Sequence, residues 1–309
     1  MASYIISIEK TSYADTATAE AAITGAGATV QKAYSQLLAY TFLVDATEEQ
    51  LSSITGLTES SAANTVLVAS HADAEFNTVH LESASPGHQW NPQFDGTGTT
   101  VYLIDTGVST NHTEFANATV QHLYKASNIA DFADSDSHGT AIASSIVGGN
   151  IGMSPNATLK SVKLFQDSNG TITVQEIVDG LDAILTDHST SSSVVKVVCM
   201  PWKVTKNSLI DSKLAQLQDA GLILVAAAGN DSDEVDNYSP GGLDSIITVG
   251  AYDHATNQVA SFNNLPRIDY VDDTTTPIIT QRVNNAQIDL FAVGTNVPVA
   301  DILDTNNYN

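Results

Sequence analysis

One cysteine, Cys199, in a chain of 309 residues excludes an intrachain disulfide framework, so stability has to come from packing. Its apolar neighbours make a buried, unreactive thiol the expected state. Basic residues are nearly as scarce. Eleven Lys plus Arg face thirty-five Asp plus Glu, a formal net charge of −24, which repels phosphate backbones and anionic lipid surfaces and argues against nucleic-acid and membrane partners. No apolar run is long enough to span a bilayer. The chain opens on Ser3–Lys10, a polar strand pattern rather than the charged-then-apolar pattern of a secretory leader. With Met1 as the natural start, the protein is expected in the cytoplasm or packaged into an assembly. Aromatic residues make up 6% of the chain, but total hydrophobic content is 42%, enough for a large core in one large or two smaller domains.

From residue 98 onward the pattern alternates between strands and helices. Thr99–Ile104, Leu159–Phe165, Val194–Met200 and Leu222–Ala226 read as strands. His138–Val147 starts a helix, and Ser208–Ala220 forms one that Gly221 stops. Thr173–Asp187 reads as a helix with Val174, Ile177, Val178, Leu181, Ile184 and Leu185 on one face. Near-continuous apolar strands separated by amphipathic helices predict an α/β fold, a parallel sheet with helices on both faces. The first seventy residues follow another rhythm. Y-I-I-S-I and Y-T-F-L-V-D read as strands, and A-T-E-E-Q-L-S-S-I starts a helix with Thr47 and Gln50 at capping-box spacing.

Three short motifs carry chemistry. V-Y-L-I-D-T-G-V holds Asp105 at a strand end, S-H-G-T-A-I-A holds His138 at a helix start, and V-A-A-A-G-N-D holds Asn230 after another strand. Each has a plainer reading alone: Asp before Thr-Gly makes an Asx-turn, and a histidine heading a helix serves as a cap. Together with S-A-S-P-G-H-Q-W from Ser83, N-Y-S-P-G-G-L-D-S-I-I-T-V-G-A-Y-D from Asn237, A-S-F-N-N and I-D-L-F-A-V-G-T-N-V, they stand in the order of the subtilases, and the chain resembles that family's proteinase K branch.

The resemblance implies a serine endopeptidase acting on polypeptides. Asp105 would orient His138, His138 would take the proton of a serine hydroxyl, and the Asn230 amide would donate to the oxyanion. It implies no catalytic cofactor. It does suggest a structural calcium, with Asp289 and the backbone carbonyls near Asp244 and Ile246 as ligands. Residues 1–71 resemble an inhibitory prosegment, which implies a small α+β domain there and a subtilisin-like peptidase domain over 72–309, incomplete at its C-terminal end, with V-L-V-A-S-H as the tail entering the substrate cleft and the junction near His71.

Three departures from the family stand out. No G-T-S-M-A segment follows Asn230, so the nucleophile and its backbone oxyanion donor are absent from these residues. The expected explanations are a truncated or self-cleaved protease, an inactive homologue, or a noncatalytic subunit of a virion or other assembly. The form as given is expected to be inactive, with an apolar groove left for a missing C-terminal segment or an assembly partner. Pro201-Trp202-Lys203 replaces the family's Ser-Leu-Gly edge, where proline removes a backbone donor and the indole would crowd the specificity pocket. Residues from about Leu265 to Ala286 form an extra segment, read as a surface hairpin.

Overall fold

A computed structural model describes residues 2–34, 40–62, 66–68, 70–71, 94–168, 170–253, 255–266, 270–272, 279–281, 288–295 and 297–303. The expected cleavage junction after His71, the segment starting at Ser83 and the last residues before Asn309 lie outside the described residues.

The N-terminal unit contains β1 (Ala2–Ile8), α1 (Thr16–Gly25), β2 (Thr29–Tyr34), β3 (Tyr40–Ala46), α2 (Glu48–Ser52) and β4 (Leu57–Ala62). Its strands form an antiparallel sheet in the order β2-β3-β1-β4. Side chains alternate across a strand, and here both faces are buried. Ile6, Ile8, Phe42 and Val44 join Ala19, Ile23 and Leu51 in a core of the unit's own. Ile5, Tyr34 and Leu43 point the other way, into the main core. The strand expected to be polar is therefore buried on both faces from Ile5 to Ile8. The α2 start matches the expected Thr47–Gln50 capping box, and α1, which the sequence reading did not anticipate, opens on a second reciprocal box of Asp15 with Thr18.

Two short strands follow, β5 (Val66–Val68) and β6 (Ser70–His71). The larger unit then runs β7 (Thr99–Asp105), β8 (Thr119–Lys125), α3 (His138–Val147), β9 (Thr158–Lys163), β10 (Thr171–Thr173) and α4 (Val174–Thr190). It continues with β11 (Val195–Met200), β12 (Trp202–Thr205), α5 (Ser208–Asp219), β13 (Ile223–Ala227), β14 (Tyr238–Ser239) and β15 (Ile247–Asp253). Last come β16 (Gln258–Val259), β17 (Tyr270–Asp272), β18 (Ile279–Gln281) and β19 (Leu290–Val293).

The main sheet has the order β16-β15-β13-β11-β7-β9-β8, with β19 also on β15. All its pairings are parallel except that of β16. One face is covered by α4 and α5. The six α4 side chains expected on one face are each at most 3% exposed, and they pack with Tyr102, Ile104, Val198 and Leu224. At roughly 1.5–3 kcal/mol gross for each large apolar side chain, this stripe is what holds α4 to the sheet. On the opposite face α3 covers β7 and β9 through Ile142, Ala143 and Val147 against Val101, Leu103 and Leu159. Helices thus lie on both faces, as the sequence predicts. Toward β13 and β15 that second face is less covered, leaving Val225 and Val249 half-buried and Ile223 and Ile247 exposed.

The extra segment contains the predicted hairpin pairing: Tyr270–Asp272 runs antiparallel to Ile279–Gln281. Pro201 does not break the edge it was expected to weaken. It ends just before β12, whose backbone pairs with β6 on one side and β14 on the other. Trp202 is buried and its ring lies tilted against Phe165 at 5.5 Å, so the indole fills core space rather than standing across a pocket. Among the described residues no helix is long and apolar enough to cross a membrane.

Candidate active site

Parallel strands put their functional side chains at their carboxyl ends. Asp105 is the last residue of β7 and His138 the first of α3. The imidazole Nδ1 lies 2.8 and 3.0 Å from the two Asp105 carboxylate oxygens, and both residues are buried. Such a carboxylate fixes the tautomer with Nδ1 protonated and leaves Nε2 to act as base. Asp105 also accepts the N–H of the next residue, Thr106, at 2.6 Å alongside the histidine contact.

Two effects oppose each other at His138. Burial disfavours its charged form, but the charge and hydrogen bond of Asp105, with Asp136 and Asp134 beyond, outweigh burial and raise its pKa above the ordinary histidine value. The same dyad bears on Cys199. Burial first, then the Asp105 charge, pushes its thiol up to about 12, although the residue is half-buried and lines a cavity at the sheet face rather than being sealed in the core as expected.

The H-G-T motif has a steric reason. A Cβ on Gly139 would come within 2.1 Å of the Gly107 carbonyl oxygen and 3.1 Å of Asp105, so only glycine lets α3 approach the β7 turn this closely. Thr140 turns its hydroxyl to the same turn, accepting the N–H of Ser109 at 3.0 Å.

Asn230 lies three positions past the end of β13. Since β11 separates β7 from β13, the ends carrying Asp105 and Asn230 stand about 10 Å apart by strand spacing. The loop is held from behind. Gly229 has φ +101°, and the Asn264 amide and Lys203 stem fill the space where its Cβ would go. Asn264 accepts the N–H groups of Asp231 and Asp233 at 2.8 and 3.2 Å. Lys203 pairs with Asp231 and sits 3.9 Å above the Tyr238 ring. Asn230 lines a cavity of about 260 Å³ with Cys199, Pro201, Phe262 and Asn263. This cavity adjoins the open part of the sheet face.

The suggested calcium ligands lie away from the dyad, at the starts of β15 and β19. Asp289 is exposed, and one of its oxygens accepts the Thr248 N–H at 2.8 Å while its own N–H donates to the Thr248 carbonyl at 2.9 Å. Asp244 is exposed and Ile246 buried. The set offers oxygen donors alone, which suits a hard cation, although the Asp289 latch between the strands accounts for its position by itself. Among the described residues no three His, Cys, Asp or Glu side chains are grouped to hold a metal ion.

Sequence reading overlooked Asp134, Thr106 and Thr140 as partners of the site, and Lys203 and Asn264 as supports of the Asn230 loop. Only the acidic run D-S-D-S before H-G-T carried any signal, since an Asp close before a helix start is a candidate cap.

The described residues thus bring together an α/β sheet, a buried Asp–His pair at its strand ends and an asparagine loop nearby. Residues 96–296 match the peptidase S8 subtilase family, and the chain belongs to it. It is 32% identical to Proteinase T of Parengyodontium album over 199 residues, 63% of this chain and 67% of that one. It is 33% identical to a cuticle-degrading serine protease of Arthrobotrys oligospora over 187 residues, 59% of this chain and 44% of that one. The chain therefore spans two thirds of one relative and under half of the other. Among solved structures it resembles a cold adapted subtilisin-like serine proteinase, with a TM-score of 0.56, 28% identity and 68% of each chain covered.

Proposed function

We propose that this protein is a subtilisin-like serine endopeptidase in an unprocessed form. Asp105 orients the imidazole, His138 is the general base and acid, and Asn230 donates to the oxyanion of the attacked carbonyl. The observation that carries the reading is the buried Asp105–His138 contact at 2.8 Å at the carboxyl end of a parallel sheet. Its direction is the productive one, because a carboxylate on Nδ1 stabilises the imidazolium formed when Nε2 accepts a serine proton. The family's reaction needs no catalytic cofactor.

Residues 1–71 are the prosegment in this reading. Support comes from the backbone: Val66–Val68 runs antiparallel to Thr171–Thr173, and Ser70–His71 antiparallel to Trp202 and Lys203. An extended tail held between two strand edges is how a polypeptide substrate is recognised by strand addition, so the tail occupies the place of substrate. A structural calcium belongs to the same proposal. Asp289 with the carbonyls near Asp244 and Ile246 would hold it, tying the start of β15 to that of β19, and chelation should then lower the melting temperature without touching the dyad.

The 309 residues contain no G-T-S-M-A segment, so the test has two arms. The 309-residue polypeptide and the complete product of the gene are assayed on an unstructured protein, with mass spectrometry watching for cleavage near His71. Hydrolysis confined to the complete product and abolished by a serine-directed inhibitor is the expected result. Silence of both would favour a noncatalytic subunit, and activity of the short form would overturn the assigned mechanism.

A further inference from the structure

We propose that Asp134 is the positioning residue of the Asp105–His138 dyad, a buried carboxylate that locks the strand end carrying one member to the helix start carrying the other. The proposal rests on His138 being the base.

Five donors converge on this one side chain, which is 6% exposed. One oxygen accepts the Thr106 hydroxyl at 2.9 Å and the N–H groups of Asp136 and Ser137 at 3.0 and 3.2 Å. The other accepts the N–H and the hydroxyl of Thr140 at 2.9 and 2.6 Å. The bonds extend one step further, since Thr106 accepts the Gly139 N–H at 2.9 Å. Asp134 thereby grips the residue after Asp105 and residues on both sides of His138.

Geometry explains why a carboxylate is needed. Only an acceptor with two oxygens satisfies donors arriving on both sides; an amide would set its own N–H₂ against the N–H of Thr140. Ser137 shows what the grip holds. It is a non-glycine residue at φ +86° directly before His138, with no side-chain cap of its own, a conformation that persists when its surroundings over-determine it. From behind, the fully buried Lys163 donates to the Ala133 carbonyl, and its stem lies under Gly107. The negative charges bearing on His138 are Asp105, Asp136 and Asp134.

The test is solution NMR on the full chain with labelled histidine. It follows the low-field Nδ1–H signal of His138 and the midpoint of its titration, with the melting temperature measured in parallel. Thr140→Val removes the hydroxyl without changing charge, Thr140→Ser keeps it, and Asp134→Asn replaces one acceptor oxygen by a donor. Loss of the low-field signal and a lowered midpoint in Thr140→Val and Asp134→Asn, with both restored in Thr140→Ser, is the expected pattern. A merely structural role would lower the melting temperature and leave signal and midpoint unchanged in the folded variants, and that result would overturn the proposal. Should Asp134→Asn fail to fold, the two Thr140 variants decide alone. These signals need no turnover, so they test the positioning of His138 separately from the assay of the complete gene product, whose silence would count against the peptidase reading alone.

Discussion

At the residue scale, His138 ties function to stability through its proton. Its folded pKa is raised, so protonation favours the folded state. The resulting stabilisation is fully present below the unfolded histidine value of about 6.5 and is lost as pH rises through the folded value. The gap in urea stability between the parent and His138→Gln should therefore be wider at pH 5.5 than at pH 9. A gap independent of pH would contradict the raised pKa. Cys199 gives a second reading of the same environment. With its thiol pushed up to about 12, thiolate at pH 8 is roughly a thousandfold scarcer than for an ordinary cysteine. Iodoacetamide should leave it unmodified in the native protein and alkylate it in urea. Gly139→Ala would drive a methyl group into the Gly107 carbonyl at 2.1 Å, so it should separate the dyad or prevent folding, detectable as loss of the low-field histidine signal or of the folded spectrum.

Among the elements, α4 and α3 mark what a sequence reveals and what it hides. The start of α4 was legible because its determinants are local. Thr173 accepts the Glu176 N–H at 3.2 Å, and the Glu176 carboxylate accepts the Thr173 N–H at 3.0 Å, three positions apart and followed by a clean apolar stripe. Thr173→Ala should cost about 1 kcal/mol and lower the melting temperature by about 2 °C; no change would show that the buried stripe alone sets the helix start. The start of α3 was legible only as the motif S-H-G-T. Its real support joins Asp134 to Thr106, 28 positions away, and distance in sequence leaves no periodic trace. The Pro201-Trp202 edge misled for a related reason. Proline's missing donor matters only inside the paired stretch, which begins at the next residue, and the room for a buried indole comes from Phe165.

Across the whole molecule, the N-terminal sheet is seated by the face that does not build its own core. Ile5, Tyr34 and Leu43 enter the core that contains α4 and α5, and Lys32 pairs with Asp179 at the rim. That ion pair is half in water and contributes little; the apolar face does most of the seating. Leu43→Asp should unseat the sheet, so that trypsin removes the N-terminal unit early while the larger unit resists digestion. Equal resistance of both units would show that the strand pairing at residues 66–71 suffices to hold it. The parallel sheet was legible from near-continuous apolar strands and helix periodicity. The half-open sheet face beside Asn230 was anticipated only from the family resemblance.

The central claim is that the Asp105–His138 pair serves peptide-bond hydrolysis. Its most direct test is the rate at which the complete gene product degrades an unstructured protein, compared with the same product carrying His138→Ala. The account predicts hydrolysis by the parent and a fall on the order of 10⁶-fold in the variant, the scale on which the subtilisin triad responds to losing its base. Equal rates for the two proteins would contradict it.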